Sequence, residues 1–227
     1  VANAMKGAAK VVKAEYITPM QAHAPLEPMN FTASFANGKM TLIGPTQFQQ
    51  GAQGAVAAVL GMKPEDISVQ TTFLGGGFGR RIELDFIVQA AQISKAVGKP
   101  VRVQSMRHEG HGWDPKAPAS VHMSRVALDA ENKIIGWQFD SKVFSKRDFL
   151  NNEGDPSHTL AGQLLGLPLK PVLIFGPPEE NYDFEAFEKI SNIIPPLLDR
   201  ASPLRTAHLR DPGGPQVHFA VESFSWI

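Results

Sequence analysis

The chain of 227 residues contains no cysteine. It can therefore form no disulfide, hold no zinc ion or iron–sulfur cluster through sulfur, and supply no thiol nucleophile. Charge of one sign is not in excess either, since 22 Lys and Arg residues balance 22 Asp and Glu residues. A neutral chain offers no electrostatic footprint to nucleic acid or to an anionic membrane, so we expect neither as a partner.

Long apolar runs are also lacking. None approaches the roughly 20 residues needed to cross a bilayer, and we expect no transmembrane segment. Residues Val1–Lys13 lack the basic segment, apolar core and cleavage site of a secretory signal, so none is expected there. Absence of cysteine is compatible with the cytoplasm and with the periplasm, which leaves the compartment open.

Turn-forming residues are frequent, with 20 glycines and 18 prolines, and strand and helix patterns alternate between them. This alternation predicts an α+β fold of mixed strands and short helices. We expect two hairpins, one turning at Asn37-Gly38 and one at Asp129–Lys133. Further strands are expected at 11–17, 67–73 and 101–106, and helices at 53–60 and 84–97, the second with an apolar stripe of Phe86, Ala90, Ile93 and Val97.

The densest glycine cluster is Gly75-Gly76-Gly77-Phe78-Gly79, followed by Arg80 and Arg81 and placed between a predicted strand and a predicted helix. Glycines let main-chain amides approach a ligand, and a helix start adds free N–H groups, so the unit suits an anion, with both arginines at its mouth. It matches neither a dinucleotide fingerprint, because position 80 is arginine, nor a Walker loop. A plain tight turn fits the same residues equally well.

Other candidates are weaker. His108 and His111 flank Glu109, but their spacing is not that of a zinc-binding helix, and Gly110 and Gly112 argue against a helix, so solvated loop histidines are favoured. No Gly-x-Ser-x-Gly elbow is present. We therefore assign no catalytic residue and no metal ligand from pattern alone. The second glycine cluster, Gly213-Gly214, precedes an apolar run and indicates a turn or a loop that leads into a helix.

Taken in order, these segments resemble the molybdopterin-binding large subunit of the xanthine dehydrogenase and aldehyde oxidase family, in particular its isoquinoline 1-oxidoreductase beta-subunit type. The resemblance is dense over residues 9–144 and returns after residue 202. It is carried by His23–Met29, Pro45–Gln47, Gly75–Arg81, Pro118–His122, Leu204–Arg210, Gly214–Gln216 and Val221–Phe224.

The resemblance implies a molybdenum hydroxylase that oxidises aldehydes or N-heterocycles with a molybdopterin cytosine dinucleotide. The cofactor carries the redox chemistry, and electrons leave through an iron–sulfur partner subunit. The matching positions imply that Gln47 lies near the metal, that Gly75, Gly76, Gly77, Phe78, Gly79 and Arg80 form the first cofactor loop, and that Arg210 and Gln216 belong to the second.

Three departures from the family pattern bear on activity. The family's catalytic glutamate has no counterpart in this chain, Ile82 stands where some members have a substrate-facing glutamate, and Gly110-His111 replaces an acidic pair.

We expect one partial molybdopterin-binding domain, with a core at 9–145, a loop-rich part at 146–201 and the second cofactor loop at 202–227. Two alternatives remain: a non-catalytic truncated or split chain that scaffolds a partner subunit, and a small-anion-binding domain. The family's bacterial members leave cytoplasm and periplasm open.

Overall fold

The computed structural model describes residues 1–146, 172–173, 182, 184–194, 207, 209–211 and 214–225. Most of the segment expected to be loop-rich, and Leu204–Thr206 of the second predicted loop, lie outside these residues. Helices and strands are mixed, which confirms the α+β class. None of the described helices is long and apolar enough to span a membrane.

The elements are α1 (Ala2–Gly7), β1 (Lys10–Thr18), β2 (Asn30–Ala36), β3 (Lys39–Gly44), α2 (Gln49–Leu60), β4 (Ile67–Thr71), α3 (Asp85–Val97), β5 (Val101–Gln104), α4 (Arg107–Trp113), β6 (Ser120–Leu128), β7 (Ile134–Lys146), β8 (Val172–Leu173), β9 (Phe187–Ile194) and α5 (Gly214–Ser225).

A four-stranded sheet in the order β4-β3-β2-β5 forms the first half of the fold. Its β2–β3 hairpin turns at Asn37 (φ 51°) and Gly38 (φ 75°), the two left-handed residues that a tight hairpin turn requires, so the predicted turn is confirmed. Helices α2 and α3 cover one face, with Phe31 and Leu42 fully buried beneath them. Burial of Phe31 alone contributes about 1.5–3 kcal/mol.

The predicted apolar stripe of α3 is only half right. Phe86 and Ala90 are buried, but Ile93 is 38% exposed and Val97 54% exposed. The buried face includes Ser94 instead, whose hydroxyl donates to the carbonyl of Lys99 and accepts a hydrogen bond from the N–H of Phe35, at 2.8 and 2.9 Å. Burial of a hydroxyl costs little free energy when both its donor and its acceptor are hydrogen-bonded. Hydrophobicity alone would have predicted that Ile93, and not Ser94, is buried.

A five-stranded sheet forms the second half. Strands β1, β6 and β7 pair antiparallel, β9 runs parallel to β7, and β8 pairs with the end of β7. The second predicted hairpin, β6–β7, is confirmed. Helix α5 packs against this sheet and buries Val217, Ala220, Val221 and Phe224 beside Trp137. The apolar run after the second glycine cluster is therefore mostly covered in the described part, although Phe219 remains 53% exposed.

A buried polar row crosses the inner face of this second sheet. The hydroxyl of Thr18 lies 2.6 Å from that of Ser120, which lies 2.8 Å from Nε2 of His122, whose Nδ1 lies 2.9 Å from the hydroxyl of Ser141. The imidazole of His122 is fully buried and stacks on Phe139. Burial lowers the pKa of His122 to about 4, so the ring is neutral near pH 7.

Candidate cofactor site

The glycine loop, Gly75–Gly79, follows β4 and adopts a backbone that few residues tolerate. Gly76 (φ 98°) and Gly79 (φ 96°) occupy the left-handed region, and so does Phe78 (φ 54°), for which the conformation costs about 1–2 kcal/mol. A short 3₁₀ turn at Arg80–Ile82 comes next, and α3 begins only at Asp85. The helix therefore begins within one residue of its predicted start, but the 3₁₀ turn separates it from the loop, so an anion at the loop meets the loop's own amides.

The carbonyl oxygens of the loop all have partners. Those of Gly75, Gly76, Gly77 and Phe78 accept hydrogen bonds of 2.8–3.0 Å from Glu27 N–H, Arg81 Nε, Arg80 N–H and Arg210 N–H respectively. The amides divide differently. Gly75 N–H donates to Glu27 and Gly79 N–H to Gln47, whereas the N–H groups of Gly76, Gly77 and Phe78 donate to none of the residues that the structure describes. Three successive unpaired amides form a concentration of donors suited to an anionic or oxo group.

Gln47 lies against this loop, as the sequence predicted. Its main-chain N–H donates to Arg81 O at 3.0 Å, and its Oε1 accepts the Gly79 N–H at 3.1 Å. Any Cβ at Gly77 would collide with the Gln47 carboxamide, so only glycine permits this approach. The Nε2 group of Gln47 has no acceptor among the described residues, and the side chain is exposed. It is therefore available as a further donor beside the three amides.

The two arginines are not at the mouth of the loop, which corrects the prediction for Arg80 and Arg81. Both are buried. The Arg80 guanidinium pairs with Asp85 and Asp114, each at 2.8 Å. Burial lowers its pKa, but the two carboxylates outweigh that effect and raise it. Buried guanidinium groups need such partners, because an unpaired charge in the interior costs several kcal/mol.

Arg81 pairs with Glu27 on the loop's inner side. Their Nη2–Oε2 distance is 2.9 Å, and Arg81 also donates to the carbonyl oxygens of Gly76, Pro45 and Glu27. Burial by itself would raise the pKa of Glu27, but hydrogen bonds from Asn30 and the Gly75 N–H, with the charge of Arg81, lower it. Sequence patterns did not indicate this pair, although both residues stand in motifs that carry the family resemblance, because a pattern does not place partners 54 positions apart.

Arg210 and Gln216 come from the second predicted loop. The main-chain N–H of Arg210 donates to Phe78 O at 2.9 Å, so the structure brings the two loops together, while the Arg210 side chain is exposed. Gln216 lies in the first turn of α5 and is 6% exposed, and its Oε1 has no hydrogen-bond partner among the residues that the structure describes. That buried acceptor is open to a donor from a bound group.

Remaining candidates do not join this site. His108 and His111 lie on α4, a helix that we predicted would not form; the carboxylate of Glu109 stabilises its start by accepting the Met106 N–H at 2.6 Å. Among the described residues, no group of three His, Asp or Glu side chains could hold a metal ion. A cavity of about 540 Å³ between α3, β5 and α4 borders Arg80 and Trp113 but includes neither the loop glycines nor Gln47.

Comparison with known proteins agrees with the family resemblance that the sequence motifs indicated. A family model described as a molybdopterin cofactor-binding domain matches residues 1–144. The chain is 31% identical over 142 residues to a membrane-bound aldehyde dehydrogenase (pyrroloquinoline-quinone) of Gluconacetobacter polyoxogenes, which covers 62% of this chain. It is 32% identical over 114 residues, 49% of the chain, to the isoquinoline 1-oxidoreductase subunit beta of Brevundimonas diminuta.

A solved structure agrees in fold. The aldehyde oxidoreductase of Desulfovibrio gigas superimposes with a TM-score of 0.72 over 96% of this chain, at 18% sequence identity. The chain spans only 18% and 15% of the length of the two sequence relatives, and 22% of the length of this structure.

Proposed function

The chain belongs to the molybdopterin cofactor-binding domain family, and on that premise we propose that it forms part of the cofactor site of a molybdenum-dependent oxidoreductase acting on aldehydes or N-heterocycles. The observation that carries this proposal is the row of three amides at Gly76–Phe78 that have no acceptor among the described residues, next to the Phe78–Gly79 peptide that Arg210 and Gln47 hold. We propose the cytosine dinucleotide form of the cofactor, in keeping with the isoquinoline-type resemblance.

The described residues fit such a group. Its oxo and phosphate oxygens need donors. The amides of Gly76, Gly77 and Phe78 supply three, and Nε2 of Gln47, which lies against the loop, supplies a fourth. A pterin ring also carries N–H groups, and the unpartnered Oε1 of Gln216 offers a buried acceptor. The exposed guanidinium of Arg210 adds a cation for a phosphate.

In this proposal the bound cofactor supplies the redox chemistry, and the chain binds and orients it. Gly75 and Gly79 hold the two ends of the amide row through Glu27 and Gln47. The role of Arg80 differs from the predicted one, in which its guanidinium lay at the mouth of the loop. Its side chain is ion-paired in the interior, and its main-chain N–H donates to the carbonyl of Gly77. It supports the loop without touching the cofactor.

We further propose that the chain is one partial domain, with a core at 9–145, an intervening part at 146–201 and the second cofactor segment at 202–227. In this proposal, as the resemblance implies, a partner subunit carries the iron–sulfur clusters and the remainder of the large subunit supplies the catalytic base. The alternative, a non-catalytic chain that scaffolds a partner subunit, predicts association with that partner without bound molybdenum.

The test is cofactor analysis of the chain expressed in a bacterial host that makes molybdopterin cytosine dinucleotide. We expect molybdenum and pterin in equal amounts, and cytidine monophosphate after acid hydrolysis. Because one relative is named for pyrroloquinoline quinone, the same sample is examined for that quinone's absorbance. Quinone in place of molybdenum, or neither group in a folded protein, would contradict the proposal. Binding of inorganic phosphate alone would favour the small-anion-binding alternative.

A further inference from the structure

The direction of the three unpaired amides follows from the partners of the preceding carbonyls. All described peptide bonds, those of the loop included, are trans, so in each peptide plane the C=O and the next N–H point in opposite directions. Arg81 Nε holds the carbonyl of Gly76 at 2.8 Å, which turns the N–H of Gly77 away from Arg81. The main-chain N–H of Glu27 holds the carbonyl of Gly75 at 3.0 Å, which turns the N–H of Gly76 away from Glu27.

Glu27 and Arg81 form one clasp. Oε2 of Glu27 accepts both the Gly75 N–H, at 2.8 Å, and Nη2 of Arg81, at 2.9 Å. Arg81 is fully buried. Its guanidinium donates hydrogen bonds to the carbonyls of Gly76, Pro45 and Glu27 as well as to that carboxylate. Its planar fork allows these directions at once, which the single ammonium of a lysine does not.

We propose that Glu27 and Arg81 are positioning residues that set the amides of Gly76 and Gly77 in the direction needed to bind the cofactor. This inference rests on the proposed function, but it concerns residues that do not touch the cofactor themselves. Arg81 acts through the Gly76 carbonyl. The Glu27 carboxylate acts through the Gly75 N–H and by holding Arg81, whereas the main-chain N–H that holds the Gly75 carbonyl would be present with any side chain at position 27. Loss of either frees a peptide plane to rotate, since glycine offers little resistance to rotation.

Two variants separate this role from general stability. Arg81→Lys keeps the charge near Glu27 but loses the Nε donor to Gly76, and Glu27→Gln keeps the shape but loses the ion pair. Asp85→Asn is the matched control, because it breaks the ion pair with Arg80 on the far side of the turn. We expect about tenfold lower cofactor retention in the first two variants than in the control, after comparison at equal fraction folded.

A second measurement does not depend on the cofactor. In the cofactor-free, isotope-labelled chain, we expect the amide NMR shifts of Gly76 and Gly77 to change in Arg81→Lys and Glu27→Gln and to stay unchanged in Asp85→Asn. Equal shifts in all three variants would overturn the positioning role. If the wild-type chain takes up no cofactor, the proposed function fails, while the amide shifts still decide whether the clasp sets the loop. If cofactor retention matches the control despite shifted amides, the inference is also wrong.

Discussion

Arg210 and Gln47 hold the same peptide plane of the glycine loop from opposite sides. The Arg210 N–H donates to the carbonyl of Phe78 at 2.9 Å, and the next amide, Gly79 N–H, donates to Oε1 of Gln47 at 3.1 Å. Because the C=O and N–H of a trans peptide point apart, the two partners must approach from opposite directions. Segments that are distant in sequence therefore fix the end of the loop next to the unpaired amides.

Replacement of Gly77 is expected to abolish cofactor retention. In Gly77→Val the side chain collides with the Gln47 carboxamide, so the loop or Gln47 must move. We expect a loss of about 1–3 kcal/mol in the free energy of unfolding, with cofactor loss well beyond that explained by the unfolded fraction. The measurement is molybdenum content together with denaturant unfolding.

The control for this change is Gly112→Ala on α4. A Cβ there meets nothing within 4 Å, and alanine favours helix by about 1 kcal/mol over glycine. Cofactor content in this variant should equal that of the wild type. A Gly77→Val protein that retains full molybdenum would show that the loop does not contact the cofactor.

Truncation of Arg210 separates its backbone role from its side-chain role. Since the contact with Phe78 uses the main-chain N–H and the side chain is exposed, Arg210→Ala should change the free energy of unfolding by no more than about 0.5 kcal/mol. If the guanidinium binds a phosphate of the cofactor, retention should fall about tenfold or more. Arg210→Lys, as a matched variant, should recover part of it. Unchanged cofactor retention in Arg210→Ala would show that the Arg210 side chain does not bind the cofactor.

The stability of the second sheet should depend on the protonation of His122. Its pKa in the folded protein is about 4, below the ordinary 6.5, so the unfolded chain binds the proton more readily. The contribution of the neutral ring is complete above pH 6.5 and is lost as the pH falls towards 4, to a total of about 3 kcal/mol. Denaturant unfolding at several pH values measures it.

His122→Gln serves as the reference, because glutamine can bond to both serine hydroxyls but does not titrate in this range. The difference between wild type and variant should shrink by about 3 kcal/mol between pH 6.5 and 4 if the lowered pKa is correct. A constant difference across that range would show that the buried ring titrates normally.

The isolated chain should show no molybdenum-dependent turnover. Cofactor enzymes need the reactive centre, a proton acceptor and an exit for electrons in one place, and this chain carries no cysteine for an iron–sulfur cluster. Dye reduction with a panel of aldehydes and N-heterocycles, on cofactor-loaded protein, is the measurement. Robust turnover by the purified chain at stoichiometric molybdenum would overturn the view of it as part of a larger enzyme.

Local chemistry in the sequence was sufficient for much of the fold. The Asn37-Gly38 turn determines a hairpin because both residues accept left-handed angles, and α2 and α3 each end at a glycine in that same conformation, Gly61 and Gly98. The glycine loop was recognisable for the same reason. Its neighbours Gln47 and Arg210 could be named only through the family resemblance, because nothing local in the chain joins them to it.

Tertiary structure alone decided where the charges and the polar core residues lie. By default an arginine after a glycine loop is expected in solvent, yet Arg80 and Arg81 are buried because Asp85, Asp114 and Glu27 meet them there. Ser94 is buried for the equivalent reason, since Phe35 and Lys99 complete its hydrogen bonds. Burial of a polar group costs free energy of desolvation, which is offset only by hydrogen bonds and ion pairs from other segments. Those partners are brought together by the tertiary fold, so the local sequence could not predict which polar groups are buried.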